Sequence, residues 1–307
     1  MKQRSGFWNM VVLVMQWLGA VFAFAIGGLI SNMLLPLPKA LLDAVPASGF
    51  FSGPVALLFS AGVCAAILLW AARRSSFKGI ALWLQLLVLS FGAQTFLTQI
   101  ETGYFISAFP LLEGNFVVYL LILRGLVKSI IFALVLVLLV GGFSGKPRPE
   151  TRFSVPTDRA VRAIIWLAAV YVVLYMLFGY YVAWQSQELR LFYGGPAQLN
   201  SLANQWLTAL MNMPELPVFQ YFRGVLWLLC LVPLFKGFSG GRAELVILSA
   251  LALAYLPTVE LSYPNPLMPA GVSIMHFWEV SISMAIFGAL CAWLVPQPVA
   301  TAEPSHQ

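Results

Sequence analysis

The sequence is poor in charged residues. Only 9% of its 307 residues are Asp, Glu, Lys or Arg, whereas 61% are hydrophobic and the mean hydropathy is +0.88. A water-soluble domain of this length could not cover its surface with so few charges. The composition therefore excludes a soluble globular domain and predicts a polytopic membrane protein, with the lipid bilayer as its main partner.

Histidine and cysteine are also scarce, with two and three residues respectively. Cys64, Cys230 and Cys291 lie in apolar stretches without CxxC spacing, which favours small packing residues over disulfides or metal ligands. His276 is the single histidine within an apolar stretch, which excludes a bis-histidine haem site within this chain. The sequence also lacks GxSxG and P-loop motifs. We therefore expect no cofactor and no metal site, and no catalytic residue can be assigned.

The long apolar segments determine the predicted fold class. Each is near the roughly 20 residues that a helix needs to cross a bilayer, and no alternating strand pattern is present. The sequence predicts an all-α, polytopic membrane helical bundle with eight transmembrane helices, at about 8–34, 53–72, 79–103, 116–141, 160–184, 217–235, 243–263 and 271–295.

Basic residues are concentrated in alternate connections between these segments. The connections opposite to them hold only Lys39 and Arg190. The positive-inside rule then predicts a multi-pass protein of the cell membrane with both termini cytoplasmic. We expect anionic lipids at the cytoplasmic face as partners and no nucleic acid, because no basic stripe is interleaved with exposed aromatic residues.

Two similar stretches suggest an internal repeat. LTQIETGYF at 97–105 and LPTVELSYP at 256–264 place Glu101 and Glu260 each three residues before a tyrosine. The following helices then align Arg124 with His276. Two halves of four helices insert in the same direction, so the pattern predicts two parallel four-helix repeats. Chance similarity among apolar helices is the alternative, and the recurrence of GFSG at 142–145 and 237–240 does not fit this register.

The repeat defines the predicted domain organisation. Residues 1–144 form the first four-helix repeat and residues 159–296 the second. The polar, proline-containing stretch 145–158 is expected to be a cytoplasmic linker, and residues 297–307 a disordered cytoplasmic tail.

Ionisable residues within the predicted spans form the candidate site. All fall in the half of the membrane opposite to the cytoplasm. An unpaired charge at the bilayer centre costs at least about 2.5–3.5 kcal/mol, so we expect these groups to face one another or a wet cavity. Gln94 and Thr98 extend the polar face of the third helix. The predicted ligand-binding residues are Glu101, Glu260, Glu279, His276, Arg124, Lys128, Arg223, Gln94 and Thr98. Internal salt bridges that only order the bundle are the alternative.

These features favour an integral membrane, transporter-like protein that binds a small polar or ionic ligand. The cytoplasmic halves of the helices are nearly pure Leu, Val, Ala and Phe. Transport by alternating access ordinarily needs polar positions there as well, so this composition disfavours a transporter. A membrane-embedded enzyme or sensor acting on a lipid-linked ligand from the outer leaflet, or an accessory subunit of a membrane complex, therefore stays open. His276, with an unperturbed pKa of about 6.5, is expected to make the site respond to pH. The sequence does not predict an oligomeric state.

Overall fold

Helices make up most of the chain, as the apolar segments predict. The computed structural model describes residues 6–46, 49–112, 116–144 and 148–299. The protein is 77% helical, and the prediction of an all-α helical membrane bundle is confirmed.

The helices and strands are bounded as follows. In chain order the α-helices are α1 (Gly6–Leu34), α2 (Lys39–Asp43), α3 (Gly53–Arg73), α4 (Gly79–Leu87), α5 (Leu97–Tyr104), α6 (Phe116–Leu139), α7 (Thr157–Tyr181), α8 (Gln187–Phe192), α9 (Leu202–Asn212), α10 (Leu216–Gly237), α11 (Arg242–Tyr255) and α12 (Ala270–Leu294). A π-helix (Val88–Phe96) joins α4 to α5, and short 3-10 helices cover Ile106–Ala108, Pro110–Leu112, Ala183–Gln185 and Val259–Ser262. The strands β1 (Phe153–Ser154) and β2 (Gln297–Pro298) form one small sheet.

Seven helices within the described residues are long and apolar enough to cross a membrane. The continuous Gly79–Tyr104 helix, made of α4, the π-helix and α5, counts as one of them, and α7 continues as far as Gln185. The other five candidate spans are α1, α3, α6, α10 and α12.

The segment 243–263, predicted to be a span, has a different form. Its α-helix, α11, has 14 residues and ends at Tyr255, which corresponds to a length of about 21 Å against a hydrocarbon core of about 30 Å. Pro257 lacks an amide donor, and a turn leads into the 3-10 helix Val259–Ser262. The Thr258 amide donates to Tyr255 O at 3.2 Å, and the Ala254 carbonyl accepts hydrogen bonds from Thr258 Oγ1 at 2.7 Å and Ser281 Oγ at 3.3 Å in its place. Eight spans therefore remain a prediction.

Neighbouring helices pack in a regular pattern. Helix α1 packs on α3 and α6, and α7 packs on α10 and α12. The Gly79–Tyr104 helix packs on α6, and α11 packs along α12. One group thus contains α1, α3, α6 and the Gly79–Tyr104 helix, and the other contains α7, α10, α11 and α12. Two further contacts join the groups, because α10 packs on the π-helix and α3 packs on α11. Leu68, Leu86, Phe132, Leu231 and Phe287 are among the fully buried side chains that fill the common core.

The nine-residue π-helix lies in the middle of the bundle. Runs of this length are unusual, because π-helices mostly occur as single turns, and they are frequent at functional sites. Small residues allow close packing on both sides of it, where Gly92 faces Cys230 of α10 and Thr95 faces Gly125 of α6. The buried Ser90 donates a hydrogen bond to Ser129 of α6 at 3.0 Å. A π-helix turns through a smaller angle per residue than an α-helix, so it changes the direction of the side chains that follow.

The connections divide the bundle into two ends. We call the end formed by residues 35–46, 105–112, 182–215 and 256–269 the cavity end, and the end formed by residues 74–78, 140–144, 148–156, 238–241 and 295–299 the linker end. Backbone hydrogen bonds join the linker-end connections, including Ser239 N to Arg74 O at 2.8 Å and Arg152 N to Phe238 O at 2.9 Å. The strand pair β1–β2 ties residues 153–154 of the predicted linker to residues 297–298 of the predicted tail. Residues 145–147 and 300–307 of these two segments lie outside the described residues.

Arginines at the linker end bind the C-terminal carbonyls of helices. Arg148 donates to Ala72 O at 2.9 Å, Arg159 to Leu294 O at 2.8 Å, and Arg242 to Ala292 O at 3.0 Å. The last carbonyls of a helix have no partner within the helix and carry partial negative charge, so they are stabilised by such donors. These three arginines, which contribute to the predicted orientation, therefore also cap the ends of helices.

The contact between α10 and α7 provides the first test. A Cβ on Gly224 would lie 2.9 Å from Tyr171 Cβ and 3.0 Å from Ala168 Cα, both rigid parts of α7. We expect Gly224→Ala to lower the thermal unfolding temperature of the protein in detergent, because overpacking costs about 1–3 kcal/mol. Gly28→Ala is the matched control, since nothing lies within 4 Å of its Cβ position. Equal unfolding temperatures for the two variants would contradict this packing.

Candidate functional site

A cavity of about 610 Å³ lies within the bundle at the cavity end. Residues of α5, α7, α9, α10 and α12, together with residues of the connections 105–109, 182–201 and 257–268, form its walls. Five predicted site residues line it: Thr98, Glu101, Arg223, His276 and Glu279. The walls are otherwise rich in aromatic rings, namely Phe105, Phe109, Tyr171, Tyr175, Tyr180, Trp184, Phe192, Tyr193, Trp206 and Trp227.

The 182–215 segment encloses this cavity through a network around Arg190. The Arg190 side chain is buried, and its guanidinium donates to the backbone carbonyls of Trp184, Gln185, Pro196 and Ala197. Gly194 adopts φ +71°, a conformation that favours glycine and allows the chain to turn back over α8. These bonds hold Trp184 and Tyr193 against the cavity and leave Arg190 itself outside its lining.

The buried Arg223 forms an ion pair with Glu101 across two helices. NH1 of Arg223 lies 2.6 Å from Glu101 Oε1, and NH2 lies 2.7 Å from Oε2, which is the bidentate geometry of strong arginine–carboxylate pairs. Arg223 also donates to Gln220 Oε1 at 2.8 Å and to Leu97 O at 3.1 Å. The Glu101 carboxylate on α5 thus neutralises the guanidinium charge, and this ion pair holds α10 to the Gly79–Tyr104 helix.

His276 connects a tyrosine to a second carboxylate. Its Nδ1 lies 2.9 Å from Glu279 Oε2 one turn further along α12, and its Nε2 lies 3.0 Å from the Tyr193 hydroxyl. With the proton on Nδ1, the imidazole donates to the carboxylate and accepts from the phenol. The arrangement Tyr193–His276–Glu279 can therefore move a proton at the cavity wall.

The environment of Tyr193 determines its protonation state. Burial raises the pKa of this phenol above its ordinary value of about 10, and the nearby carboxylates of Glu101 and Glu279 raise it further, because each disfavours a phenolate. Tyr193 consequently stays protonated at neutral pH and acts as a hydrogen-bond donor towards His276.

The remaining predicted site residues form a separate cluster between α6, the π-helix and the 3-10 helix Val259–Ser262. Lys128 Nζ lies 2.7 Å from Glu260 Oε1, and Gln94 Nε2 donates to the same oxygen at 2.9 Å. The ammonium group also lies 4.7 Å from the ring centroid of Phe24 on α1. None of Lys128, Glu260 and Gln94 is part of the cavity lining.

Arg124 lies near this cluster but has its own partners. Its guanidinium donates to Leu35 O at 3.0 Å and to the side-chain oxygen of Asn32, both at the end of α1. It binds no carboxylate within the described residues. Arg124 therefore holds the C-terminal end of α1 to α6.

The structure thus divides the nine predicted residues into two groups. Five line one cavity, and Gln94, Arg124, Lys128 and Glu260 lie outside its lining. The residues that sequence reasoning missed are Tyr193 and Gln220. Gln220 lies three residues before Arg223 on the same helix, a spacing that could have identified it. Tyr193 lies in an irregular segment where no periodicity signals a site.

The donor set of the cavity supports proton transfer and ligand binding. Carboxylates, an imidazole, a phenol and a guanidinium converge on it. Within the described residues, no group of three or more His, Cys, Asp or Glu side chains is arranged to hold a metal ion.

A double-mutant cycle tests the Arg223–Glu101 pair. Removing one partner leaves the other charge buried and unpaired, so Arg223→Met and Glu101→Met should each destabilise the protein by roughly 3 kcal/mol. The double variant should lose less than the sum, with an interaction energy of about 1–3 kcal/mol. The exposed pair Asp158–Arg162 is the control, for which we expect a coupling below about 0.5 kcal/mol. Additive losses for Arg223 and Glu101, measured by denaturant unfolding in micelles, would refute the pair.

Comparison with known proteins gives no relative for this chain. No protein-family model, no curated protein and no solved structure matches it. The description of its function therefore rests on the geometry of the cavity.

Proposed function

We propose that the protein is a transporter-like membrane protein that binds a small polar or ionic ligand in the cavity. The observation that carries the proposal is the convergence of two paired sets of charges, Arg223 with Glu101 and His276 with Glu279, on one cavity inside an apolar bundle. Charges are costly within a membrane, and where they line a cavity they commonly mark a ligand or ion pathway.

The size and access of the cavity support ligand binding. Small-molecule sites are typically clefts of about 300–1,000 Å³ with mostly apolar walls and a few polar groups, and 610 Å³ falls within this range. The Glu101 and His276 side chains keep 28% and 22% of their surface exposed, although both lie within the bundle. Their polar atoms are therefore reachable from the cavity.

Helix packing supports the proposed repeat of two four-helix halves. If α1, α3, the Gly79–Tyr104 helix and α6 correspond to α7, α10, α11 and α12, each contact within one half has a counterpart in the other. The contacts of α1 with α3 and α6 match those of α7 with α10 and α12. The same correspondence relates the two contacts between the halves, since exchanging each helix for its counterpart converts the contact of α3 with α11 into that of α10 with the π-helix. Such reciprocity is what a two-fold relation along the membrane normal produces.

Glycines at corresponding positions add to this argument. The Cβ position of Gly27 on α1 lies 3.1 Å from Lys128 O, and that of Gly179 on α7 lies 3.7 Å from Glu279 Oε1. Lys128 and Glu279 belong to the corresponding helices α6 and α12. The Lys128–Glu260 cluster and the cavity therefore occupy related places in the two proposed halves.

A second candidate is a membrane-embedded enzyme or sensor that acts on a lipid-linked ligand. The Tyr193–His276–Glu279 arrangement favours it, because it resembles the nucleophile–base–acid order used in general acid–base chemistry. The charged cavity residues also lie on one side of the bundle, whereas the core towards the linker end is filled by apolar side chains such as Leu86, Leu231 and Phe235.

A flux measurement in proteoliposomes distinguishes the two candidates. The panel contains radiolabelled amino acids, carboxylates and amines. We expect uptake of one class, and loss of that uptake in Ala209→Trp, since Ala209 lines the cavity from α9. A steric cost of about 1–3 kcal/mol corresponds to a loss of roughly 5- to 150-fold in affinity. Leu207→Trp is the control on the same helix, because Leu207 is exposed and lies outside the lining. Chemical turnover of a lipid substrate without flux would favour the second candidate instead.

We also propose that the protein is a cell-membrane protein with both termini and the linker end in the cytoplasm, where anionic lipids contact the basic residues. In a variant without native cysteines, Lys39→Cys should react with a membrane-impermeant maleimide in intact cells, and Glu150→Cys only after permeabilisation. Both positions are exposed, one at each end of the bundle. Labelling of residue 150 in intact cells would reverse the orientation.

A further inference from the structure

The charges that line the cavity leave one carboxylate oxygen without a partner. Glu279 Oε2 binds His276, whereas Oε1 makes no hydrogen bond within the described residues. Only 9% of the Glu279 side-chain surface is exposed. Oε1 is directed towards Gly179, 3.7 Å from the position that a Cβ there would occupy, so the absence of a side chain on α7 leaves space beside it.

The cavity cannot carry a net positive charge from its own lining. Arg223 is the one lysine or arginine among the described lining residues, and the Glu101 carboxylate neutralises it in a bidentate pair. Its remaining donor, Nε, is enclosed by protein atoms and does not open to the cavity. Glu279 then contributes one negative charge, and His276 adds at most one positive charge when protonated. With His276 neutral, the lining has a net charge of −1.

Arg190, in the segment that covers the cavity, gives it no further positive charge. The Arg190 guanidinium is turned towards four backbone carbonyls of its own segment, and it is not part of the lining. An anionic ligand would thus meet no free cation. A cationic ligand would meet an unpartnered carboxylate oxygen.

The aromatic walls suit the same chemistry. Ten of the lining residues are Phe, Tyr or Trp, and the faces of such rings attract organic cations. Tyr180 comes from the end of α7, Trp184 from the 3-10 helix Ala183–Gln185 and Trp206 from α9, so the rings come from more than one element around the cavity. Rings around an ammonium group beside a carboxylate are a recurrent way of binding quaternary and tertiary amines.

We propose that the ligand of this cavity is a monovalent organic cation, whose ammonium group lies beside Glu279 Oε1 and whose apolar substituents contact the aromatic walls. This inference rests on the proposed ligand-binding function and specifies the class of ligand. A tetraalkylammonium ion is a suitable probe, because it has a positive charge for the carboxylate and apolar surface for the aromatic walls but no hydrogen-bond donor.

The test is a calorimetric titration of the purified protein in detergent with tetraethylammonium chloride at a pH of about 9, well above the ordinary imidazole pKa of about 6.5. Sodium butyrate and neutral N,N-diethylacetamide are probes of similar size, and sodium chloride controls for ionic strength. We expect saturable binding of tetraethylammonium and none of the other two. Glu279→Gln should weaken that binding by about tenfold or more, because it removes the charge and keeps the shape.

Two further variants guard against misfolding as the cause. Gly179→Leu keeps every charge and fills the space beside Oε1, so it should also abolish binding. Glu188→Gln removes a carboxylate at the same end of the bundle but outside the lining, and it should bind like the wild type. Unfolding temperatures near that of the wild type show that each variant is folded.

The outcomes separate this inference from the proposed function. Failure of tetraethylammonium to bind, or equal binding by wild type and Glu279→Gln, overturns the cation proposal. If butyrate or diethylacetamide binds and Gly179→Leu removes that binding, the cavity is a ligand site for another class, and the proposed function stands. If none of the probes binds and the proteoliposomes show no flux, both the cation proposal and the proposed function are wrong.

Discussion

The constraint on which the cavity depends is the burial of Arg223 in an apolar bundle. An arginine cannot lose its charge in a protein, so it must be paired wherever it is enclosed. Glu101, Gln220 and the Leu97 carbonyl provide its partners, and they join α10 to the Gly79–Tyr104 helix. This use of Glu101 has a consequence for the other carboxylate of the cavity, because among the described residues both oxygens of Glu101 are paired whereas one oxygen of Glu279 is not.

Irregular backbone decides which charges meet. Gln94 and Glu101 are seven residues apart and would share one face of a regular α-helix. The π-helix intervenes, and Gln94 binds Glu260 whereas Glu101 binds Arg223. On the other side, α11 ends before Pro257, and the 3-10 helix that follows directs Glu260 towards Lys128. Two helix irregularities thus separate carboxylates that similar sequence stretches place at similar positions.

The two charge clusters also differ in what covers them. The connection between α1 and α3 is short, and Arg124 and Asn32 meet at the end of α1. The connection between α7 and α10 is much longer and contains α8, α9 and the Arg190 network. This longer segment contributes Tyr193 and Trp206 and encloses a cavity. The longer connection therefore encloses a cavity beside the Arg223–Glu101 and His276–Glu279 pairs, whereas Lys128 and Glu260 form a compact ion pair outside it.

Composition and hydropathy by themselves determined that the chain is a helical membrane protein, because few charges and long apolar runs leave no other way to satisfy the backbone. Sequence reasoning also identified the residues that need partners, since an ionisable group in a span is costly wherever it lies. It did not determine the pairing. Whether Glu260 meets Lys128 or Arg223 depends on the π-helix, on the break at Pro257 and on the packing of glycines between helices. These are long-range contacts, and only the tertiary structure brought Tyr193 to His276 and left Glu279 Oε1 without a hydrogen-bond partner among the described residues.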